Sequence, residues 1–333
     1  MSETHCLELF STAPQSSATK GDDYMAQVAE VARWSEESGC RGILVYSDNS
    51  LVDPWLVSQI IVENTTALCP LVAVQPVYMH PYGVAKMVSS FGYLHGRRLY
   101  LNMVAGGFRN DLLELNDQTP HDKRYDRLVE YTLIIKQLLA SSLPVTYVGE
   151  FYKIDKLRMA PRLRPDLLPG IFLSGSSQAG LQAAQKLAAT AIQYPKPAGD
   201  LPPARDAGIR IGIIARSDEA EAWQVADQRF PEDHKGELMH KLAMSVSDSV
   251  WHKQLSQSAE EAKSRRSIYW LRPFETYKTF CPYLVGSYQQ VAEELSRYAD
   301  LGYGTVILDI PPSREELQHI RRVVDLVTER VSA

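Results

Sequence analysis

The chain has 333 residues, 45% hydrophobic and 23% charged. That balance describes an ordinary globular protein with apolar surface for a full core, and the length fits two ordinary domains or one large α/β barrel. Its 35 basic and 40 acidic residues leave a formal charge of −5, and no basic cluster is interleaved with aromatics, which argues against nucleic acid as a partner.

No apolar run approaches the roughly 18 to 20 residues needed to cross a membrane, so no membrane association is expected. The stretch from Met1 to His5 lacks the positive flank and apolar run of a secretory leader. Cys6, Cys40, Cys69 and Cys281 have no metal-ligand spacing, and no metal is expected. The expected compartment is the cytoplasm. The basic run Lys263-Ser264-Arg265-Arg266 reads as a solvated helix end.

A strand over 6–10 opens the chain, and a Ser/Thr/Gly-rich loop follows to Gly21. Asp22 or Asp23 caps a helix whose Met25, Val28, Ala29 and Ala32 share one face, and Gly39 stops it. Residues 42–46 are nearly all apolar, as in a strand covered on both faces. A polar turn at 47–50, a helix opened by Asp53-Pro54, a strand over 71–75, a helix over 81–94 and a strand over 98–104 follow. Strand and helix alternating across short connections predict parallel βαβ units.

After Ala105-Gly106-Gly107 and a polar loop, a long helix runs from 120 to about 139. Residues 145–154 alternate around Gly149-Glu150 and predict a hairpin inserted between units. The proline-marked stretch 161–169 leads to a strand over 170–173. A helix from Ala179 places Leu181, Ala184, Leu187 and Ala188 toward the core, and a strand over 190–193 follows. Residues 194–207 are proline-rich and irregular, yet a strand over 208–215 and a helix over 218–228 resume the alternation.

Residues 230–262 read as helical, and 265–285 show no period, which marks a lid or binding loop. A helix over 289–299, a strand over 305–308 and a helix with Leu317, Ile320, Val324, Val327 and Val331 in register close the chain. Eight strands with helices between them predict an α/β protein: a single (β/α)8 TIM barrel over 1–333, with insertions near 144–168 and 230–285. A doubly wound open sheet is the alternative. It fits less well, because no Gly-x-Gly-x-x-Gly follows the first strand.

Two places carry polar residues where such a fold places ligands. Ser174-Gly175-Ser176-Ser177-Gln178 joins a strand to a helix, with a close-approach glycine, hydroxyl donors and free helix N–H groups, which together suit a phosphate. A tight turn with a Ser N-cap explains the same residues equally well. His121, Arg124 and Tyr125 share one face at the start of a helix. In a functional reading Arg124 and Tyr125 reach a phosphate and His121 donates a hydrogen bond or proton, whereas the plain alternative is a solvated first turn.

Asn102-Met103-Val104-Ala105-Gly106-Gly107, followed by His121-Asp122-Lys123-Arg124-Tyr125 and Glu130-Tyr131, resembles the core motif of the bacterial luciferase-like flavin monooxygenases, most closely the alkanesulfonate monooxygenase branch. Tyr147 to Tyr152, Ala160-Pro161-Arg162, Ser174 to Ser177, Asp53-Pro54-Trp55-Leu56, Leu284-Val285-Gly286 and Tyr298 to Gly302 are similar to that branch in the same order. The resemblance implies a (β/α)8 barrel using FMNH2 supplied by a separate NAD(P)H-dependent flavin reductase. It further implies O2 addition to give a C4a-peroxyflavin, and a homo-oligomer, dimer or tetramer.

By the same resemblance Ser174, Gly175, Ser176, Ser177 and Tyr125 would hold the FMN phosphate. Gln75, Asn102 and Ala105 would border the isoalloxazine, and Arg210 would serve the substrate or the peroxyflavin. A buried strand-end arginine is also explained by an ion pair inside the barrel.

The chain departs from that branch on the substrate side. Pro14, Leu51, Gly212 and Pro311 stand where the sulfonate enzymes carry histidine, cysteine, histidine and tyrosine, and their arginine-bearing mobile loop corresponds to Pro273 through Lys278, with Arg272 and Lys278 as the available cations. A less polar pocket implies a less charged or larger substrate, a small organic or biosynthetic molecule that a carrier protein can present. Two other readings stay open: a non-catalytic flavin-binding accessory protein, and a deazaflavin-dependent oxidoreductase.

Overall fold

The computed structural model describes residues 7–17, 19, 21–106, 109–236, 238, 267–276 and 278–332. In chain order its elements are β1 (Glu8–Thr12), α1 (Gly21–Glu37), β2 (Gly42–Val45), α2 (Pro54–Glu63), β3 (Cys69–Val74), α3 (Pro81–His95), β4 (Tyr100–Met103), α4 (Arg109–Glu114) and α5 (His121–Ala140). There follow β5 (Val145–Val148), β6 (Lys153–Leu157), β7 (Gly170–Ser174), α6 (Gln178–Leu187), β8 (Thr190–Gln193), β9 (Ala207–Arg216) and α7 (Glu219–Arg229). The last are β10 (Tyr269–Trp270), α8 (Arg272–Glu275), β11 (Tyr283–Ser287), α9 (Tyr288–Asp300), β12 (Tyr303–Leu308) and α10 (Arg314–Ser332).

The chain divides into two compact units, one of Ala13–Arg33 and Gly42–Ala191, the other of Met1–Thr12, Trp34–Arg41 and Ile192–Ala333. In the first, β2, β3, β4 and β7 pair in parallel in that order, with Leu44 opposite Leu71, Leu71 opposite Tyr100 and Asn102 opposite Phe172. Every residue of β2, β3 and β4 is buried, as parallel strands covered on both faces require. Val84, Val88 and Phe91 of α3 and Leu128, Ile134, Ile135 and Leu138 of α5 pack into one core with β3, β4 and β7. Asp53 starts α2 by accepting the Trp55 N–H at 2.9 Å, with Pro54 just inside the helix.

The predicted hairpin forms as antiparallel β5 and β6. Its tip is held by Glu130 of α5, whose carboxylate accepts the N–H groups of Glu150, Phe151 and Tyr152 at 2.8, 3.0 and 3.3 Å. A Cβ at Gly149 would collide with that carboxylate, so the glycine is what lets the acid reach the turn.

In the second unit β12 lies between β1 and β9, all parallel, with Leu9 opposite Val306 and Ile307 opposite Arg210. β9 is ten residues long and fully buried. Its first half pairs with β12 and its second half, from Gly212, with β11. The proline-rich stretch 194–206 is tied down by polar side chains under it. The hydroxyls of Tyr269, Tyr298 and Tyr303 donate to the carbonyls of Pro195, Lys196 and Pro202 at 2.7, 2.7 and 3.3 Å, and buried Glu294 accepts the Ala198 N–H at 3.0 Å. These bonds are why an irregular segment sits inside an ordered unit.

Several expectations shift. The first strand lies at 8–12 rather than 6–10, and Cys6 is outside the described residues. Asp22 and Asp23 sit in the first turn of α1 rather than capping it. The polar loop after β4 holds the short helix α4. The aperiodic 265–285 stretch contains β10, α8 and the start of β11; such short buried runs are too brief to show a period. Most of 230–262 and the run 263–266 are outside the described residues. Among the described residues no helix is long and apolar enough to cross a membrane, and no His/Cys/Asp/Glu group is placed to hold a metal.

Candidate functional site

Ligands in parallel α/β folds sit at the carboxyl ends of the strands. In the 42–191 unit, Asn102 is buried on β4 and its Oδ1 accepts the Ser174 hydroxyl of β7 at 2.8 Å. Gln75, buried one residue past β3, donates Nε2 to the Ser47 carbonyl at 3.0 Å. Ala105 is buried, and Gly106 after it takes φ +116°, a conformation open mainly to glycine. Gly107 is outside the described residues.

α5 and the β7–α6 turn meet at a tyrosine. A Cβ on Gly175 would stand 2.6 Å from the Tyr125 hydroxyl oxygen, and one on Gly180 would stand 3.2 Å from it. Both glycines therefore make room for Tyr125. Ser177 caps α6, its Oγ accepting the Gly180 N–H at 3.1 Å. Burial raises the Tyr125 hydroxyl above its ordinary pKa, and its hydrogen bond with Ser177 partly offsets this, so it is a neutral donor.

Ser176 Oγ is buried with no hydrogen-bond partner, a costly state unless a ligand satisfies it. A helix N-terminus, a tyrosine hydroxyl and a buried serine hydroxyl awaiting an acceptor suit a phosphate. The plain Ser N-cap is present as well, and it leaves Ser176 unexplained. Arg124, also buried, donates Nη1 to the Thr119 carbonyl at 3.2 Å. His121 lies 2.8 Å from Asp122 Oδ1 through Nδ1 and packs edge-on against Tyr125, with ring centroids 5.3 Å apart.

In the 192–333 unit, Arg210 is buried on β9 with its guanidinium carbon 5.9 Å from the centre of the Tyr194 ring. Asp309, the first residue past β12, was not singled out from the sequence. Its Oδ2 accepts the Thr279 hydroxyl at 2.5 Å and the Tyr283 hydroxyl at 2.7 Å. Tyr283 stands opposite Gly212, and its ring fills the space a Cβ there would need. Burial first, and then the Asp309 charge, push the Tyr283 hydroxyl and the Cys281 thiol far above their ordinary values. The one signal for Asp309 was its position, a carboxylate directly after an apolar strand run.

Of the divergent positions, Pro311 is buried, and the Pro14 carbonyl accepts the Tyr24 hydroxyl at 3.2 Å. The two loop cations are engaged: Arg272 pairs with Asp227 at 3.2 Å and Lys278 with Asp233 at 2.7 Å.

The family model described as luciferase-like monooxygenase matches residues 6–305. The chain is 33% identical over 320 residues to the 4-(γ-L-glutamylamino)butanoyl-[BtrI acyl-carrier protein] monooxygenase BtrO of Niallia circulans, covering 93% of each. Among solved structures it is similar to the long-chain alkane monooxygenase LadA, with a TM-score of 0.75 at 15% identity, covering 99% of this chain and 92% of that one. It is also similar to the oxygenating constituent of 3,6-diketocamphane monooxygenase from Pseudomonas putida in complex with FMN, with a TM-score of 0.67 at 12% identity and 98% of each chain covered. These likenesses agree with the parallel β/α units described above and give the fold as the predicted (β/α)8 TIM barrel.

Proposed function

Because the chain belongs to the luciferase-like monooxygenase family and is a flavin-dependent monooxygenase, we propose that its flavin is reduced FMN and its substrate an acyl thioester presented by a carrier protein. The observation that carries the cofactor is the cradle of Tyr125, Gly175, Ser176 and Ser177, with its buried hydroxyl lacking an acceptor. Reduced FMN, when bound, supplies the electrons that activate O2 for insertion of one oxygen atom.

The chain's own residues bind, orient and shield. Ser174, Gly175, Ser176, Ser177 and Tyr125 hold the phosphate, and Gln75, Asn102 and Ala105 border the ring system. Asn102 and Gln75 are suited to this because each is fixed by a hydrogen bond, at 2.8 and 3.0 Å respectively. His121 is the proton or hydrogen-bond donor, and Arg210 serves the substrate. Buried strand ends exclude water that would divert the reaction.

The substrate class is supported by the similarity to the Niallia circulans monooxygenase, whose name specifies an acyl chain on a carrier protein. The alkanesulfonate branch is the weaker match in this pocket, because Arg272 and Lys278 are both ion-paired. We read the chain as one catalytic domain with insertions near 144–168 and 230–285, active as a homo-oligomer with an NAD(P)H-dependent flavin reductase as partner.

Anaerobic titration with FMNH2 tests the cofactor, with an expected dissociation constant on the order of micromolar. Absence of binding, or preference for a reduced deazaflavin, sinks the FMN assignment. Mixing the complex with O2 and an acyl-pantetheine should give a product heavier by one oxygen atom. Oxidised flavin with no such product would favour an accessory protein.

A further inference from the structure

Asp309 lies outside the residues assigned to the flavin and the substrate. It is half-buried at the carboxyl end of β12. Both hydroxyl donors from the 279–283 stretch converge on one of its oxygens, Oδ2. That leaves Oδ1 without a hydrogen bond from any described residue. No lysine, arginine or histidine among the described residues forms an ion pair with it, although its negative charge is felt at Tyr194, Cys281 and Tyr283.

A half-buried carboxylate fixed by two neutral donors, with no ion-pair partner among the described residues, is a preorganised acceptor for a cationic ligand group. Its geometry is maintained by a local device: Gly212 clears space for the Tyr283 ring, so the hydroxyl can reach across from β11 to the end of β12. The Thr279 hydroxyl, 3.5 Å from the buried Cys281 sulfur, completes the clamp.

We propose that Asp309, held by Thr279 and Tyr283, is the subsite for a primary ammonium group on the acyl chain of the substrate, with Oδ1 as the accepting atom. This rests on the acyl-thioester reading. It adds that the chain selects substrates whose acyl part carries an amino group, as a γ-glutamyl head does, over those that lack one. Asp309 is a specificity residue here, and Thr279 and Tyr283 are positioning residues.

The test uses the full chain and two probes: 4-(γ-L-glutamylamino)butanoyl-pantetheine and its α-deamino analogue, which differ only in the ammonium group. Calorimetric titration of the wild type should show about tenfold tighter binding of the amino probe. Asp309→Asn should bring the two probes to equal affinity, and Tyr283→Phe should shrink the preference without abolishing it. The wild-type comparison stands alone if Asp309→Asn does not fold. Equal binding of the two probes by the wild type, binding of neither, or a preference that survives in Asp309→Asn overturns the proposal. Failure of the parent reading shows separately, as loss of FMNH2 binding or of oxygenated product in the wild type.

Discussion

The two units organise polar groups in opposite ways. In the 42–191 unit the proposed phosphate cradle is local: Ser174, Gly175, Ser176, Ser177 and Gly180 lie within seven positions of one turn, and a single outside residue, Tyr125, packs onto them. In the 192–333 unit the Asp309 clamp draws on three distant stretches, Gly212, 279–283 and 309. A site built from one strand–turn–helix tolerates change elsewhere, because its geometry is that of the helix N-terminus. A site assembled across strands depends on register and on the ion pairs that fix the strand ends.

The largest expected effect tests that dependence. At the end of β9, Arg216 reaches Glu316 of α10, and Arg229 of α7 meets the same carboxylate at 2.7 Å. Glu316→Gln leaves two arginines facing a neutral amide and should cost roughly 3–5 kcal/mol, read by urea denaturation at pH 7. Burial alone would raise the Glu316 pKa, but the hydrogen bonds and charges of Arg216 and Arg229 outweigh it and hold the carboxyl below its ordinary range. A depressed folded pKa means that the stabilisation is complete above the carboxyl's ordinary value and is lost as pH falls through the folded one. Wild type and Glu316→Gln should therefore converge in acid. A loss under about 1 kcal/mol at pH 7 would show that the register does not rest on this network.

The same contrast governed what the sequence disclosed. The β/α alternation was legible because buried parallel strands leave continuous apolar runs, and the turn proposed to hold the phosphate stood out because its parts are neighbours in the chain. β11 was hidden, since a five-residue strand after Cys281-Pro282 with its first four residues all buried carries no period. Asp309 was visible only as a residue after a strand. Its partners come from register: Gly212 opposite Tyr283 explains why a polar residue is missing there, and no spacing rule reports that. The role of Glu130 was likewise invisible, because a helix acid that caps a hairpin twenty residues later reads as an ordinary solvated charge.

Next in size is Gly175→Ala. The added Cβ would stand 2.6 Å from the Tyr125 hydroxyl, closer than van der Waals contact allows, so FMNH2 affinity should fall about a hundredfold, or about 2.7 kcal/mol. Adding Tyr125→Phe removes the colliding oxygen and should recover part of the loss. If Gly175→Ala binds FMNH2 normally, the local site is less constrained than the contrast requires.

A smaller effect belongs to Asp117, whose Oδ2 meets Arg127 of α5 at 2.5 Å. Burial opposes ionisation, yet hydrogen bonds from Arg127 and Thr119 hold its pKa down to about 2. Against an ordinary 3.8 this contributes about 2 kcal/mol. The contribution is present above pH 4 and fades as pH falls toward 2. Asp117→Asn should lose it at neutral pH and flatten the acid limb of the stability curve.

The smallest change separates folding from binding within the local site. Ser176 Oγ is buried with nothing to bond, so it costs the free protein part of a desolvation penalty while offering a donor to an anion. Ser176→Ala should therefore leave unliganded stability unchanged or raise it by up to about 1 kcal/mol, while weakening FMNH2 binding about tenfold. Paired thermal denaturation and anaerobic titration read the two quantities on the same sample. A serine kept only to cap or pack the turn would move both in the same direction, since its removal would loosen the loop and the site together. Opposite signs identify a hydroxyl whose partner is the ligand rather than the protein.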